Sequence, residues 1–159
     1  MANKKNKKNK ILEHINKMKK ILLLIIPLLI FISCNKTKEV IEEKYPDGSK
    51  KIVRYYKGGE DNKILLKEIA YYPNKKIYYQ GEFNNNKRDG KWIYWYDNGN
   101  KWSEGFLKQE LNDGKRTVWY ENGNKRYEGY YKNGKEIGKW QFYNENGALT
   151  KEIDFDTIK

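Results

Sequence analysis

Hydrophobic and polar residues alternate along most of the chain from residue 45 onwards, and no helical period is present there. The apolar positions are mostly Tyr, Trp, Phe and Ile, which suit the pleated surface of a β-sheet. Segments containing Gly and Asn separate the alternating stretches and are typical of turns. Residues 45–159 are therefore predicted to form an all-β domain, an elongated antiparallel meander of about ten short strands.

The alternation is organised into a repeat of 24 residues, which accommodates two strands and two turns. Trp95 and Trp119 are one period apart, and Tyr71 and Tyr143 occupy the corresponding places in neighbouring copies. Three glycine series keep the same spacing without gaps: Gly81, Gly105 and Gly129; Gly90, Gly114 and Gly138; Gly99, Gly123 and Gly147. A divergent first copy of 27 residues starts at residue 45. The sequence thus predicts a series of similar β-hairpins.

The turns predicted most strongly are residues 97–100 and 121–124, each with a central Asn-Gly pair. Asn-Gly favours a two-residue type I′ turn, in which both central positions have positive φ. Such a turn would place Trp95 opposite Trp102, and the next copy would follow the same register. It would also place Trp92 opposite Gly105, so that a bulky side chain covers the bare backbone of a strand glycine.

Alternation in this register assigns the side chains to two faces of the sheet. The first face is expected to be the core side, and it combines the strand glycines with Tyr72, Tyr79, Phe83, Trp92, Tyr94, Tyr96, Leu107, Val118, Tyr120, Tyr127, Tyr131, Trp140, Phe142 and Ile153. The second face is expected to carry Glu104, Glu128 and Glu152 beside a stripe of candidate partner-binding residues: Tyr71, Tyr78, Trp95, Trp102, Trp119 and Arg126. Exposed Trp and Arg side chains are typical of binding hot spots. The alternative is that these rows only pack against each other and stabilise the sheet.

The first part of the chain has a different pattern, in which a basic stretch precedes twelve largely apolar residues, 21–32. Twelve helical residues rise only ~18 Å, which is shorter than the ~30 Å hydrocarbon core of a membrane. Residues 1–33 are therefore predicted to be a helical secretory signal peptide, with Met18 as a possible true start. The polar residues that follow are expected to be a tether, so that residues 34–44 comprise Cys34 and this tether.

The segment Phe31-Ile32-Ser33-Cys34 resembles the lipobox of bacterial lipoproteins, although Phe31 departs from the usual aliphatic residue. The resemblance implies cleavage before Cys34, attachment of diacylglycerol and acylation of the new amino terminus. Two or three acyl chains anchor a protein stably, whereas one chain does not. The protein is expected to be a lipoprotein of the cell envelope, on the outer membrane in a Gram-negative cell. An uncleaved anchor or a buried helix with an incidental cysteine is the alternative.

The composition argues against several kinds of chemistry. The net charge is +12, but eight of the 33 basic residues lie in residues 1–33, which weakens a nucleic-acid interpretation. His14 also lies there, so the processed chain would have no His and only an acylated Cys. Ser-His-Asp and Cys-His catalysis would then be impossible, and the usual zinc ligands would be missing. A carboxylate pair is the remaining catalytic option, but Glu104, Glu128 and Glu152 are periodic and do not suggest a unique site. We expect no enzyme, no metal site and no cofactor.

The segment from Tyr127 to Trp140 closely resembles a MORN repeat, and the longer pattern of Gly-Lys-Trp followed by Tyr-x-Asn-Gly is similar to the bacterial YwqK-like antitoxin type. Residues 81–92 match with Asn86 where Gly is expected, whereas residues 105–116 lack the Trp. The resemblance covers roughly residues 45–155 and implies a repeat sheet that serves as a binding or scaffolding surface.

Three functions remain open for this sheet. The first is binding or organising another protein at the envelope. The second is neutralising a toxin at the envelope, which the antitoxin resemblance implies. The third is binding glycan or peptidoglycan through the aromatic rows. Beyond the membrane itself, the expected partners are therefore an envelope protein, a toxin or a glycan, and not a nucleic acid.

Overall fold

The computed structural model describes residues 37–157 together with Glu13. Ten antiparallel strands form one sheet in sequential order, which confirms the all-β meander. The strands are β1 Lys38–Lys44, β2 Lys50–Lys57, β3 Ile64–Tyr71, β4 Ile77–Asn84, β5 Lys87–Trp95, β6 Lys101–Lys108, β7 Leu111–Trp119, β8 Lys125–Lys132, β9 Lys135–Tyr143 and β10 Leu149–Asp154, with a 3₁₀ helix at Glu60–Asn62. Apart from Glu13, the predicted signal peptide lies outside the described residues, and so do Met18 and Cys34.

The polar tether predicted to extend to residue 44 is shorter than expected, because residues 38–44 form β1. This strand pairs with β2, and Val40 and Ile41 lie opposite Arg54 and Val53. Charged residues before and after this apolar pair conceal the strand pattern in the sequence. The repeat sheet therefore begins about one strand earlier than predicted.

Each strand makes extensive contacts only with its neighbours along the chain, so the sheet is a single open layer. Its two faces follow from the register. The aromatic face carries the row Glu68, Gly81, Trp92, Gly105, Arg116 and Gly129, and Trp140 continues it on β9. The charged face carries the next row, Val53, Ile69, Gln80, Ile93, Glu104, Thr117, Glu128 and Gln141. Both faces contain buried residues, so the core expected on the aromatic face extends to Val53 and Ile69 on the charged face.

The Asn-Gly turns are not two-residue type I′ turns, and this part of the prediction is wrong. Gly99 has φ +99°, whereas Asn98 keeps a negative φ. The Gly99 N–H donates to the Tyr96 carbonyl at 3.0 Å, and the Tyr96 N–H donates to the Asn100 carbonyl at 2.9 Å. The loop is therefore a three-residue loop in which a type I turn precedes a left-handed glycine. The Asn98 side-chain oxygen stabilises it by accepting a hydrogen bond from the Asn100 N–H at 2.8 Å.

Two-residue turns with positive φ at both positions occur at the other ends of the strands. They are formed by Asn85-Asn86, Gln109-Glu110 and Asn133-Gly134. Only the last contains glycine, which is why the sequence gives a weak signal for them.

The three-residue loop adds one residue to the turn and changes the register beside it. Trp95 lies opposite Lys101 and not opposite Trp102, while Tyr94 still pairs with Ser103. Trp102 is the extra residue at this bulge and contacts the Tyr94 ring on the aromatic face, with the ring centroids 5.8 Å apart. The same shift recurs in the next copy, where Trp119 lies opposite Lys125. One residue on each hairpin thus moves to the face opposite to the predicted one.

Two tryptophans cover strand glycines on the aromatic face. A Cβ on Gly81 would overlap the Trp92 ring, and a Cβ on Gly129 would overlap the Trp140 ring. The two indoles are 5% and 4% exposed, so they form the centre of the core. The predicted register between Trp92 and Gly105 is correct, but the ring lies over Gly81 on β4.

Hydrogen bonds from tyrosine hydroxyls connect each repeat to the following one. The Tyr45 hydroxyl donates to the Tyr71 carbonyl and the Tyr72 hydroxyl donates to the Trp95 carbonyl, each at 2.7 Å. The Tyr96 hydroxyl donates to the Trp119 carbonyl and the Tyr120 hydroxyl donates to the Tyr143 carbonyl, each at 2.9 Å. Turn asparagines add parallel links, since the amides of Asn100 and Asn124 donate to the carbonyls of Glu121 and Glu145. The Tyr-x-Asn-Gly-Asn pattern therefore specifies contacts between repeats as well as the turn within each repeat.

Candidate functional site

The six predicted partner-binding residues do not form one stripe, because the bulges separate them. Trp102 and Tyr78 contact Tyr94 on the aromatic face, and the Arg126 guanidinium lies 5.7 Å from the Tyr120 ring centroid on that face. Trp119 contacts Lys101 of the charged face, and Trp95 and Tyr71 occupy the equivalent places in earlier copies. The single stripe is thus wrong, and three of its members lie on each face.

Lysines cover aromatic rings on the charged face. The Lys101 Nζ lies 5.1 Å from the Trp119 ring centroid, and the Lys125 Nζ lies 5.8 Å from the Tyr143 ring centroid. Trp119 and Tyr143 are half-buried as a result. These contacts fit the alternative in which the rings on this face stabilise the sheet.

The same lysines belong to ion pairs that repeat every 24 residues. Glu104 accepts hydrogen bonds from Lys91 and Lys101 at 3.0 and 2.7 Å, and the equivalent Glu128 pairs with two lysines at 2.9 and 2.7 Å. Burial alone would raise the pKa of the Glu128 carboxyl. The hydrogen bonds from Lys125 and Lys115 outweigh burial, so the pKa of Glu128 lies below its ordinary value of 4.5, and the pKa of Glu104 is lowered in the same way.

These lowered pKa values predict acid sensitivity of the fold. The ion pairs contribute stability that is complete above pH 4.5 and is lost as the pH falls through the folded-state pKa values. Denaturant unfolding at about pH 7 and about pH 3 measures the free energy of unfolding. Between these two pH values it should fall by more in the wild type than in the E104Q/E128Q double variant. The E145Q variant, altered at an exposed turn, should behave like the wild type. An equal loss in the wild type and the double variant would contradict the prediction.

The aromatic face contains a groove where the repeat pattern is interrupted. At the position of Trp92 and Trp140, the intervening copy has Arg116. A Cβ on Gly105 would meet only the Arg116 stem, at 3.5 Å, so Gly105 has no indole over it. The space left by the missing indole belongs to a groove of about 380 Å³, which is lined by residues of β4 to β7 and of the turn between β6 and β7.

Aromatic rings form the walls of this groove. Tyr78, Trp92, Tyr94 and Trp102 line it, and neighbouring rings meet edge to face, at 71° for Tyr78 and Tyr94 and 75° for Tyr94 and Trp102. Trp102 is 37% exposed, which leaves apolar surface at the mouth of the groove. Burial raises the pKa of the Tyr94 hydroxyl, so this group remains a neutral hydrogen-bonding group at physiological pH.

Polar groups line the rest of the groove. The Glu110 carboxylate accepts hydrogen bonds from the Nε and the backbone N–H of Arg88, each at 2.7 Å. Gln109 and Glu110 both have positive φ, and the Asp89 carboxylate holds this turn by accepting from the Gln109 backbone N–H at 3.2 Å. The next repeat therefore supplies Glu110 to an arginine of the preceding hairpin.

Arg116 lacks such a partner. Within residues 37–157, no carboxylate oxygen lies within 4.0 Å of its guanidinium, and its Nη1 donates only to the Asn112 side-chain oxygen at 3.3 Å. Its side chain is half-buried. The groove thus presents one unpaired cation beside one ion pair and four rings.

Sequence reasoning identified Tyr78 and Trp102 but missed Arg88, Glu110, Asn112 and Arg116. The signal for Arg116 was present, since residues 105–116 lack the Trp of the repeat. Nothing in the sequence indicated that Glu110 pairs with Arg88 in the groove. This pairing depends on the two-residue turn at Gln109-Glu110, at the ends of the strands opposite to the Asn-Gly loops.

Fold and site together define a β-hairpin repeat protein with an aromatic-lined groove on one face. Four stretches, residues 66–85, 88–109, 112–133 and 136–156, match the MORN repeat variant family, and the chain belongs to that family. MORN repeats in a β-sheet indicate a module that binds proteins or membranes. No curated protein matches the chain.

The part of the chain that the structure describes has no helix long and apolar enough to span a membrane. It also has no cluster of three or more His, Cys, Asp or Glu side chains arranged for a metal ion.

Proposed function

We propose that this protein is a lipid-anchored envelope protein whose aromatic face binds another protein without catalysing a reaction. The groove at Arg116 carries the proposal, because exposed aromatic surface and an unpaired arginine occur together there. Tyr, Trp and Arg are the residues that most often dominate the affinity of protein interfaces. The periodic charged face supports a structural role, since its lysines and glutamates already pair with each other.

The lipobox-like segment ending at Cys34 supports the anchor. We expect C34A to abolish acyl labelling and to leave a protein that is unprocessed or released from the membrane fraction, because the thioether linkage needs the sulfur. Metabolic labelling with a fatty-acid analogue and membrane fractionation measure both effects. A C34A protein that labels and fractionates like the wild type would refute the anchor.

Protein binding is tested by comparing two tryptophans on opposite faces. We expect W102A in the full-length protein to lower the affinity for the partner about thirtyfold, which is the effect of losing ~2 kcal/mol at a hot spot. Less of the partner should then be recovered with this variant. W95A is the matched control, since Trp95 lies on the charged face, and it should keep the partner. Quantitative mass spectrometry of crosslinked membranes and a melting temperature for each variant provide the measurement. Equal recovery with both variants would contradict an aromatic-face interface.

Two other partners are compatible with the same groove. The resemblance to the antitoxin type suggests a toxin that reaches the envelope, and a toxin gene beside this one would support that partner. Four aromatic walls next to Asn112 and Glu110 also suit a sugar ring, which makes glycan binding the second candidate. Co-sedimentation with purified cell wall that is lost in W102A would favour the glycan.

A further inference from the structure

Arg116 occupies the position that Trp92 and Trp140 hold in the neighbouring copies, where the role of the tryptophan is visible. In the flanking copies an indole fills the space over the strand glycine, whereas the Arg116 stem leaves Gly105 with ordinary contacts of 3.5 Å and longer. The substitution therefore removes packing from the aromatic face and adds a half-buried charge. Both changes reduce stability, so they indicate a role outside folding.

Two other arginines of the aromatic face show which kind of partner Arg116 lacks. Arg54 pairs with Glu68 at 2.6 Å, and Arg88 pairs with Glu110 at 2.7 Å. Arg116 has only the neutral Asn112 oxygen, although a guanidinium carries five N–H donors in a planar fork. A carboxylate matches that fork with two parallel hydrogen bonds.

The lining also limits the charge and form of the ligand. Two arginines and one glutamate line the groove, which leaves one excess positive charge and favours a monoanion over a phosphate dianion. The rings of Trp102 and Tyr78 provide apolar surface in the same groove as Arg116. The combination suits an acidic side chain that is flanked by aromatic or aliphatic residues on an exposed segment.

We infer that the partner inserts such a segment into the groove and that its Glu or Asp carboxylate binds the Arg116 guanidinium. This inference rests on the proposed function that the aromatic face binds a protein. It adds the chemical class of the bound segment and the residue that selects it.

The test uses the purified full-length protein in detergent micelles and two labelled, capped peptides, Gly-Phe-Glu-Phe-Gly and Gly-Phe-Gln-Phe-Gly. Fluorescence polarisation should show about tenfold tighter binding of the Glu peptide, the factor for one charge-assisted hydrogen bond. R116Q should remove this preference, while K115Q, altered at an exposed lysine on the charged face of the same strand, should keep it. A preference that survives in R116Q, or that is missing in the wild type, overturns the inference.

A second variant tests the groove by restoring the repeat. R116W should place an indole over Gly105, raise the melting temperature and abolish binding of the Glu peptide, because the ring fills the groove. A raised melting temperature with unchanged peptide binding overturns the inference. Stronger displacement of the peptide by sodium phosphate than by sodium acetate also overturns the inference. Binding of a cell-wall disaccharide that is unaffected by R116Q overturns it as well.

The partner capture separates this inference from the proposed function. Loss of the partner in both W102A and R116Q supports the proposed function and this inference together. Loss in W102A with normal capture in R116Q contradicts the carboxylate contact and leaves the aromatic-face interface standing. Normal capture in both variants contradicts both.

Discussion

G81A should destabilise the protein by about 3 kcal/mol, whereas G105A should be neutral or stabilise it by up to about 1 kcal/mol. The two glycines are one period apart on the same face, and neither needs a positive φ. A Cβ on Gly81 would overlap the buried Trp92 ring, which would then have to leave its position. A Cβ on Gly105 would meet the flexible Arg116 stem at 3.5 Å, which is ordinary contact. Denaturant unfolding of both variants measures the difference.

The comparison has a third member, because Gly129 lies under Trp140 as Gly81 lies under Trp92. G129A should therefore lose stability like G81A. In an R116W background G105A should become destabilising as well, since Gly105 would acquire an indole cover. Equal effects of G81A and G105A would show that the indoles do not restrict these positions.

Deleting one whole period inside the strands should give a shorter folded protein, whereas deleting one residue fewer should prevent folding. Removal of residues 94–117 joins Ile93 to Val118, which takes the place of Tyr94 on the aromatic face. Removal of residues 94–116 puts Thr117 there, and the following strand residues move to the opposite face. The buried Val118 would then move to the charged face and the Asn-Gly loop would lie one residue out of register, so we expect the loss to reach the typical stability of a domain, about 5–15 kcal/mol.

Circular dichroism and size-exclusion chromatography distinguish the two deletions. The 24-residue deletion also removes Arg116, so it should fold without binding the Glu peptide. Similar cooperative unfolding of both deletion proteins would contradict the register described for β5 to β8.

The strand order and the repeat were predictable because they depend on local pattern. The 24-residue spacing of Gly81, Gly105 and Gly129 sets the register of each hairpin, and alternation separates Trp92 from Ile93. Type and length of the Asn-Gly loop were not predictable in the same way, since Asn-Gly occurs in both two-residue and three-residue loops. The one additional residue of the three-residue loop decides on which face Trp102 lies. A correct repeat therefore still gave a wrong binding stripe.

The groove depends on a longer-range effect. Its cause is visible in the sequence as an Arg at position 116, but its walls come from three hairpins whose spacing only the structure provides. Glu110 reaches Arg88 because a turn with two non-glycine residues in positive φ folds back over the preceding hairpin. Positive φ at Gln and Glu is uncommon, so propensity gives no reason to expect that turn.

The tyrosine hydrogen bonds give the array a direction along the chain. Tyr72, Tyr96 and Tyr120 each donate to a carbonyl of the following copy, so every copy supports the one before it. Asn144 stands where the next tyrosine would be, and its side-chain oxygen accepts hydrogen bonds from its own turn, from Asn146 and Ala148. Asn144 thus closes its own turn instead of donating to another strand, and within residues 37–157 the directional series of tyrosine hydrogen bonds ends with Tyr120.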